Sequence, residues 1–352
     1  MPASAPVWLM QASDPGRTAA AARRESGHRP RVSVILPGRD VADFLGDALT
    51  SLTRQLPAGQ LEVIMVNDGS VDDTGTVAEA FRSRLPGLRV LHNIEPIGLA
   101  SARNLGLQAA TGSYLVYLDG DDWLVPGHLA SLADAMDALA VDFVRTDHVT
   151  VLGRARRLRR PPQGRRNTRL DPRGSILPAH DATMVDYPYA WAGMFDRRLA
   201  ERGLLDFPDG LQTAEDRPWI WRLHLQAESY AVVDSPGICY RRGRTASLTQ
   251  IADSRQLDVL TAFDQARRLV AADHEADRFM PKLIRMTLAI IAHHLGRDHL
   301  MHRADRNALH AGARSLIASL PHDQLTVQLG NLSISRLSRL RRVLEVRDRW
   351  AA

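Results

Sequence analysis

Four short apolar runs punctuate the first third of the chain: 32–36 (VSVIL), 61–66 (LEVIMV), 88–92 (LRVLH) and 114–118 (YLVYL), each bounded by turn residues. Runs of this length without polar alternation predict strands buried on both faces, as in a parallel sheet. Between them the apolar spacing changes to the helical period. Phe44, Leu45, Ala48, Leu49 and Leu52 share one face, Val77 and Phe81 a second, and Leu99, Ala102, Leu105 and Ala109 a third. Ser70 with Asp73 three positions on predicts a capping box at the second helix, and Gly112 marks the stop of the third. This alternation predicts an open α/β sheet whose ligands bind at the carboxyl ends of its strands.

A further amphipathic helix is predicted through Leu129, Leu132, Met136 and Leu139, followed by a strand at 142–146 (DFVRT). The arginine-dense stretch 154–173, broken by Pro and Gly, predicts a mobile loop, either a solvated surface or a contact for an anionic substrate. From about residue 251 to 352 helical periodicity dominates and predicts a separate helical appendage, able to pair subunits or rest on a membrane. Residues 1–31, rich in Ala, Ser, Pro and Arg, predict a flexible tail that is neither a secretory signal nor an anchor. The apolar stretch 283–295 carries Arg285 and two histidines and is too short to span a bilayer.

With 352 residues, 45% of them hydrophobic and 24% charged, the chain can bury a full core. Its net charge of +5 comes from arginine, Lys282 being the one lysine. A basic balance admits nucleic acid, an anionic membrane or a phosphorylated substrate without choosing among them. A nucleic-acid binder calls for aromatic platforms beside its basic patch. Aromatics are absent from 154–173, which speaks against nucleic acid. One cysteine, Cys239, excludes an internal disulfide and predicts a reducing, cytoplasmic setting.

Candidate chemistry gathers at predicted strand ends. Asp119, Asp121 and Asp122 follow the fourth strand, with alternate side chains of an extended segment pointing the same way; they suit either a hard divalent cation or a plain acidic turn. Pro37 and Asp40 end the first strand, and Asn67, Asp68, Gly69 and Ser70 the second. Asp68 can accept from a base N–H or cap a helix. Arg103, near a helix start, can meet a diphosphate or make an ion pair. Glu215 and Asp216, early in a helix, can do proton chemistry or simply complement the helix dipole. Trp219 and Trp221 can stack on a sugar or fill the core.

Segments 32–40 (VSVILPGRD), 66–74 (VNDGSVDDT), 98–106 (GLASARNLG) and 117–124 (YLDGDDWL) together resemble the family 2 glycosyltransferases in order and spacing. The likeness continues through 191–210, the Glu-Asp pair of 213–225 (TAEDRPWIWRLHL) and the loop 240–250 (YRRGRTASLTQ), which is similar to the closing loop of bacterial wall teichoic acid and capsule glycosyltransferases. Two departures stand out: Asn67 replaces the first aspartate of the usual pair, and Gly38-Arg39-Asp40 replaces the common V-Y-N.

The resemblance implies an α/β GT-A fold, a Rossmann-like nucleotide-sugar-binding sheet flanked by helices, over 32–250. Residues 32–123 would form the nucleotide-sugar half and 124–250 the acceptor half, with a helical C-terminal region over 251–352. It further implies an inverting transfer from a nucleoside-diphosphate sugar, by family habit a UDP-sugar, to a hydroxyl of a glycan or anionic surface glycopolymer. Pro37, Asp40 and Asp68 would lie at the nucleobase, Arg103 would assist the nucleotide, and Asp119 would face the ribose. Asp121 would hold Mn2+ or Mg2+, and Asp216 would be the catalytic base with Glu215 beside it. Arg241, Arg242 and Ser247 would close over the diphosphate, and the cytoplasmic face of the membrane would be the place of work. Three rivals remain: a nucleotidyltransferase, disfavoured because 32–44 lacks a glycine-rich phosphate loop; a basic nucleic-acid-binding protein; and a sugar-nucleotide-binding scaffold without catalysis.

Overall fold

A computed structural model describes residues 29–243 and 253–344. The predicted 1–31 tail, all but its last three residues, and Ser247 lie outside them. The chain alternates β1 (Val32–Gly38), α1 (Ala42–Leu52), β2 (Leu61–Asp68), α2 (Thr74–Ala80), β3 (Leu88–Asn93), α3 (Leu99–Ala109) and β4 (Tyr114–Tyr117). After these come β5 (Trp123–Leu124), α4 (His128–Leu139), β6 (Phe143–Leu152), β7 (Ala155–Arg159), β8 (Gly193–Asp196), α5 (Arg197–Glu201), α6 (Asp216–Gln226) and β9 (Tyr230–Arg241). Five helices close the described chain: α7 (Asp258–Ala271), α8 (Ala276–Leu295), α9 (Arg303–Ala318), α10 (His322–Gly330) and α11 (Ile334–Leu344).

One sheet runs in the order β3-β2-β1-β4-β8-β6-β9-β5, with β7 paired to β6. The first four strands are parallel, Val34 opposite Val63 and Val116, and every residue of β1, β2 and β4 is buried. The reason is that α1 and α3 cover the faces. Leu45, Ala48, Leu49 and Leu52 of α1 are buried, as are Ala102 and Gly106 of α3, and a Cβ at Gly106 would stand 2.6 Å from Ile35. Gly112 lets the chain pass tightly over β1: its N–H donates to Ser33 Oγ at 2.7 Å, and a Cβ there would meet the Ser33 backbone nitrogen at 2.6 Å.

Three local expectations need correction. The capping box at Ser70 and Asp73 does not form. Asp72 does that work, accepting from Thr74 N–H with one oxygen and from Ala42 N–H with the other, so it ties the starts of α1 and α2 together. The Asp119–Asp122 segment is a tight turn rather than extended, closed by Asp122 N–H to the Asp119 carbonyl at 3.0 Å. Finally, the strand at 142–146 continues to Leu152 and turns through Gly153 into β7, so the first part of the expected mobile loop, through Arg159, is a hairpin. Arginines suit an edge strand, since their stems pair as readily as other residues while the heads stay in water.

The C-terminal helices pack on α6 through α7, which in turn packs on α8. Polar clamps reinforce the junction. Arg173 pairs with Asp273 at 2.7 Å and Glu275 at 2.6 Å, and Lys282, wholly buried, donates to Asp186 Oδ2 at 2.5 Å and the Asp181 carbonyl at 2.7 Å. Among the described residues no helix is long and apolar enough to cross a membrane.

Candidate active site

Three sequence-distant segments converge on one guanidinium. Arg103 enters from α3, only 4% exposed, and donates from Nη1 to Glu215 Oε1 at 2.7 Å and from Nη2 to Asp119 Oδ1 at 2.9 Å. Phe207 supports it from the side, its ring centroid 5.0 Å from the guanidinium carbon. Asp119 lies just past the end of β4, and Glu215 immediately before α6. Burial works against the charge of Arg103, but the Asp119 and Glu215 carboxylates outweigh it and hold the arginine firmly protonated. Burial pushes Glu215 up to about 7 despite Arg103, with Asp216 adding repulsion.

Asp216 opens α6 with 26% of its side chain exposed and Arg217 Nε 3.5 Å away. Its carboxyl is also raised by burial, with Arg217 and Arg103 opposing the rise and Asp119 adding to it. Ala214 just before the pair has φ 61°, a left-handed conformation that aims the following two carboxyls. Glu215 therefore faces inward as an anchor, while Asp216 keeps an open side.

The acidic turn divides its labour. Asp122 is fully buried, and its Oδ1 accepts from the Arg241 backbone N–H at 2.7 Å. Among the described residues its Oδ2 has no hydrogen-bond partner, and burial together with the neighbouring Asp121 and Asp119 raises its carboxyl well above the usual range. Asp119 and Asp121 are half-buried. Among the described residues, three potential ligand atoms lie within 4.8 Å of one another only at Asp273, His274 and Glu275, where the Arg173 guanidinium already binds both acids.

The remaining expected residues are spread around this centre. Pro37 is buried in β1. Asp68, 4% exposed, accepts from Asn93 Nδ2, Ile97 N–H and Gly98 N–H at 2.8, 2.8 and 2.9 Å, which fixes the approach to α3 and hence Arg103. Asp40 has φ 51° and accepts from Val71 N–H at 2.9 Å. Asn67 accepts from Ser70 N–H and packs its amide against His92 Nδ1. Arg241 turns to the far side, against Phe44 and Trp123, with Nη2 on Asp47 at 2.7 Å and Nε on the Asp121 carbonyl at 2.9 Å. Arg242 donates to the Tyr240 hydroxyl at 3.0 Å. Trp219 and Trp221 are core residues, both wholly buried.

A second aromatic group escaped the sequence reading. Trp191 stacks on Tyr189 at 4.8 Å and lies tilted against Tyr240 at 5.0 Å, and His148 stands edge-on to Trp191 at 4.9 Å. Tyr240 lies close enough to the acidic turn that, after burial and an opposing Arg242, Asp119 and Asp122 raise its hydroxyl. The signal was present only as alternation of Tyr187, Tyr189 and Trp191, which a strand-like segment places on one side.

Residues 33–197 match the model for glycosyl transferase family 2. The uncharacterized glycosyltransferase EpsJ of Bacillus subtilis (strain 168) is 32% identical over 232 residues, covering 65% of this chain and 66% of EpsJ, just under two thirds of that relative's length. The uncharacterized glycosyltransferase YibD of Escherichia coli (strain K12) is 35% identical over 96 residues, 27% of each chain. The crystal structure of S. aureus TarS 1-349 in complex with UDP-GlcNAc has a TM-score of 0.69 and 18% identity, covering 91% of this chain and 92% of that one. The expected architecture, a GT-A-like mixed sheet flanked by helices and followed by C-terminal helices, is thereby borne out.

Proposed function

This chain carries a glycosyltransferase family 2 domain, and from that premise we propose that it moves a sugar from a nucleoside-diphosphate sugar, a UDP-sugar, to a glycan hydroxyl with inversion. The observation that supports this reading most is the network joining Asp119, Arg103 and Glu215 beside the half-open Asp216, at the carboxyl ends of the strands. TarS, whose fold this chain shares, was solved with UDP-GlcNAc.

In the proposed reaction Asp216 accepts the proton of the acceptor hydroxyl as that oxygen attacks the anomeric carbon. The electron pair of the breaking C–O bond leaves with the nucleoside diphosphate, and a single displacement inverts the anomeric configuration. Glu215 and Arg103 hold the start of α6 and the end of β4 in register, so that base and donor meet at a set distance. Pro37, Asp40 and Asp68 form the nucleobase side, and Arg242 and Ser247 the diphosphate side; Arg241 reaches that side only by leaving Asp47.

The acidic turn fits a divalent cation. Burial, and after it the neighbouring Asp121 and Asp119 carboxylates, raises Asp122, and a buried Asp122 oxygen lacks a partner among the described residues. Asp121, with Asp119 beside it, would hold Mn2+ or Mg2+, which when bound offsets charge on the diphosphate. A cytoplasmic enzyme acting at the inner membrane face completes the proposal.

The test is a panel of nucleotide sugars incubated with Mg2+ or Mn2+, with the product anomer read by NMR. One donor should turn over and give the inverted anomer, and Asp121→Ala should weaken metal-dependent donor binding at least about tenfold. A retained anomer, or donor binding indifferent to both chelator and Asp121→Ala, contradicts the mechanism.

A further inference from the structure

The hairpin of β6 and β7 carries its arginines on two faces with different neighbours. Thr150 of β6 lies opposite Arg157 on one side and Tyr240 of β9 on the other, and His148 lies opposite Arg159. Residues directly opposite share a face, and alternate residues along a strand return to it. Arg157 and Arg159 therefore stand on the face of Tyr240, His148 and Arg242. Arg156, opposite Val151, points to the other face, toward Cys239 and Arg241. Arg157 and Arg159 are exposed, and among the described residues neither has a carboxylate within ion-pair distance.

On the same face Tyr189 and Tyr240 are half-buried on either side of buried Trp191. Aromatic faces bind the apolar faces of sugar rings, and unpaired guanidiniums bind carboxylate or phosphate in forked pairs. Such a surface, leading toward the Asp119 turn, has the chemistry of an acidic saccharide: rings on tyrosine, charges on arginine. We propose that Tyr189, Tyr240, Arg157 and Arg159 form the acceptor track and that the acceptor is a glycan carrying carboxylate or phosphate groups. The assignment rests on the glycosyltransferase reading above, and it separates arginines that the sequence presents as one cluster.

The test uses the full chain with an oligouronate, its neutral methyl ester, inorganic polyphosphate and a single-stranded RNA as probes. The oligouronate should bind more tightly than its ester. Arg157→Gln combined with Arg159→Gln should weaken it about tenfold, Tyr189→Ala should weaken it several-fold, and Arg156→Gln should change it less than about twofold. Equal losses from Arg156→Gln and the Arg157/Arg159 double variant would overturn the track, since that is diffuse polyanion attraction. Preference for polyphosphate with no effect of Tyr189→Ala, or preference for RNA, would overturn it as well. Thermal melting confirms that each variant folds. Binding of uridine diphosphate to the unaltered protein is measured alongside: its absence with oligouronate binding intact sinks the glycosyl-transfer reading alone.

Discussion

The two halves of the sheet use arginine in opposite ways. Beside β4, Arg103 is buried, with both terminal nitrogens committed to carboxylates and its chain position fixed by Asp68 through the loop before α3. On β7, arginines lie in a row on an exposed edge. Between these extremes sits Arg145, wholly buried and, among the described residues, without a carboxylate partner, its Nη2 held by the Tyr187 and Tyr189 carbonyls and its pKa lowered by burial to about 10. A paired buried arginine positions a site, whereas an exposed unpaired one is free to meet a ligand.

Substitution breaks this contrast most sharply at Arg103. Arg103→Met leaves Glu215 and Asp119 without their cation and should cost about 3–5 kcal/mol in a urea titration, whereas Arg157→Gln should stay within about 0.5 kcal/mol. Equal effects would mean that the two environments differ less than their burial implies.

The pH profile sharpens the same point. Asp216 and Glu215 titrate as a pair, both raised. The base must be deprotonated to work, and its carboxyl is raised, so kcat/KM should begin to fall at a pH above an ordinary aspartate's range near 4, by up to about tenfold per unit. A profile flat down to that range contradicts the raised carboxyl. For stability the sign is opposite. A Glu215 raised to about 7 from 4.5 contributes most below pH 4.5, and that contribution is lost as pH rises through 7. The smallest effect belongs to Ala214→Gly: relieving a left-handed alanine should stabilise by about 1 kcal/mol, read from the melting temperature.

The first half of the sheet was legible because each strand there is buried on both faces and each helix follows its strand directly. Local pattern and tertiary environment then agree. Asp119, Arg103 and the Glu215–Asp216 pair were legible only through family resemblance, since no spacing relates residues 103, 119 and 215. The β7 hairpin was read as a loop because arginine and glycine suppress strand signals, and β6 supplies the pairing that overrides them. The aromatic group was missed because its rings come from 189–191, just ahead of β8, and from 240 near the end of β9, brought together because β6 pairs with both strands. That pairing also puts aromatics next to arginines from a stretch that contains none.

The measurement closest to the central claim is transfer by Asp216→Asn compared with the unaltered chain, with uridine diphosphate binding followed in both. Transfer should fall by about a hundredfold or more while nucleotide binding stays within about twofold. Transfer undiminished in Asp216→Asn would remove the proposed base and with it the mechanism.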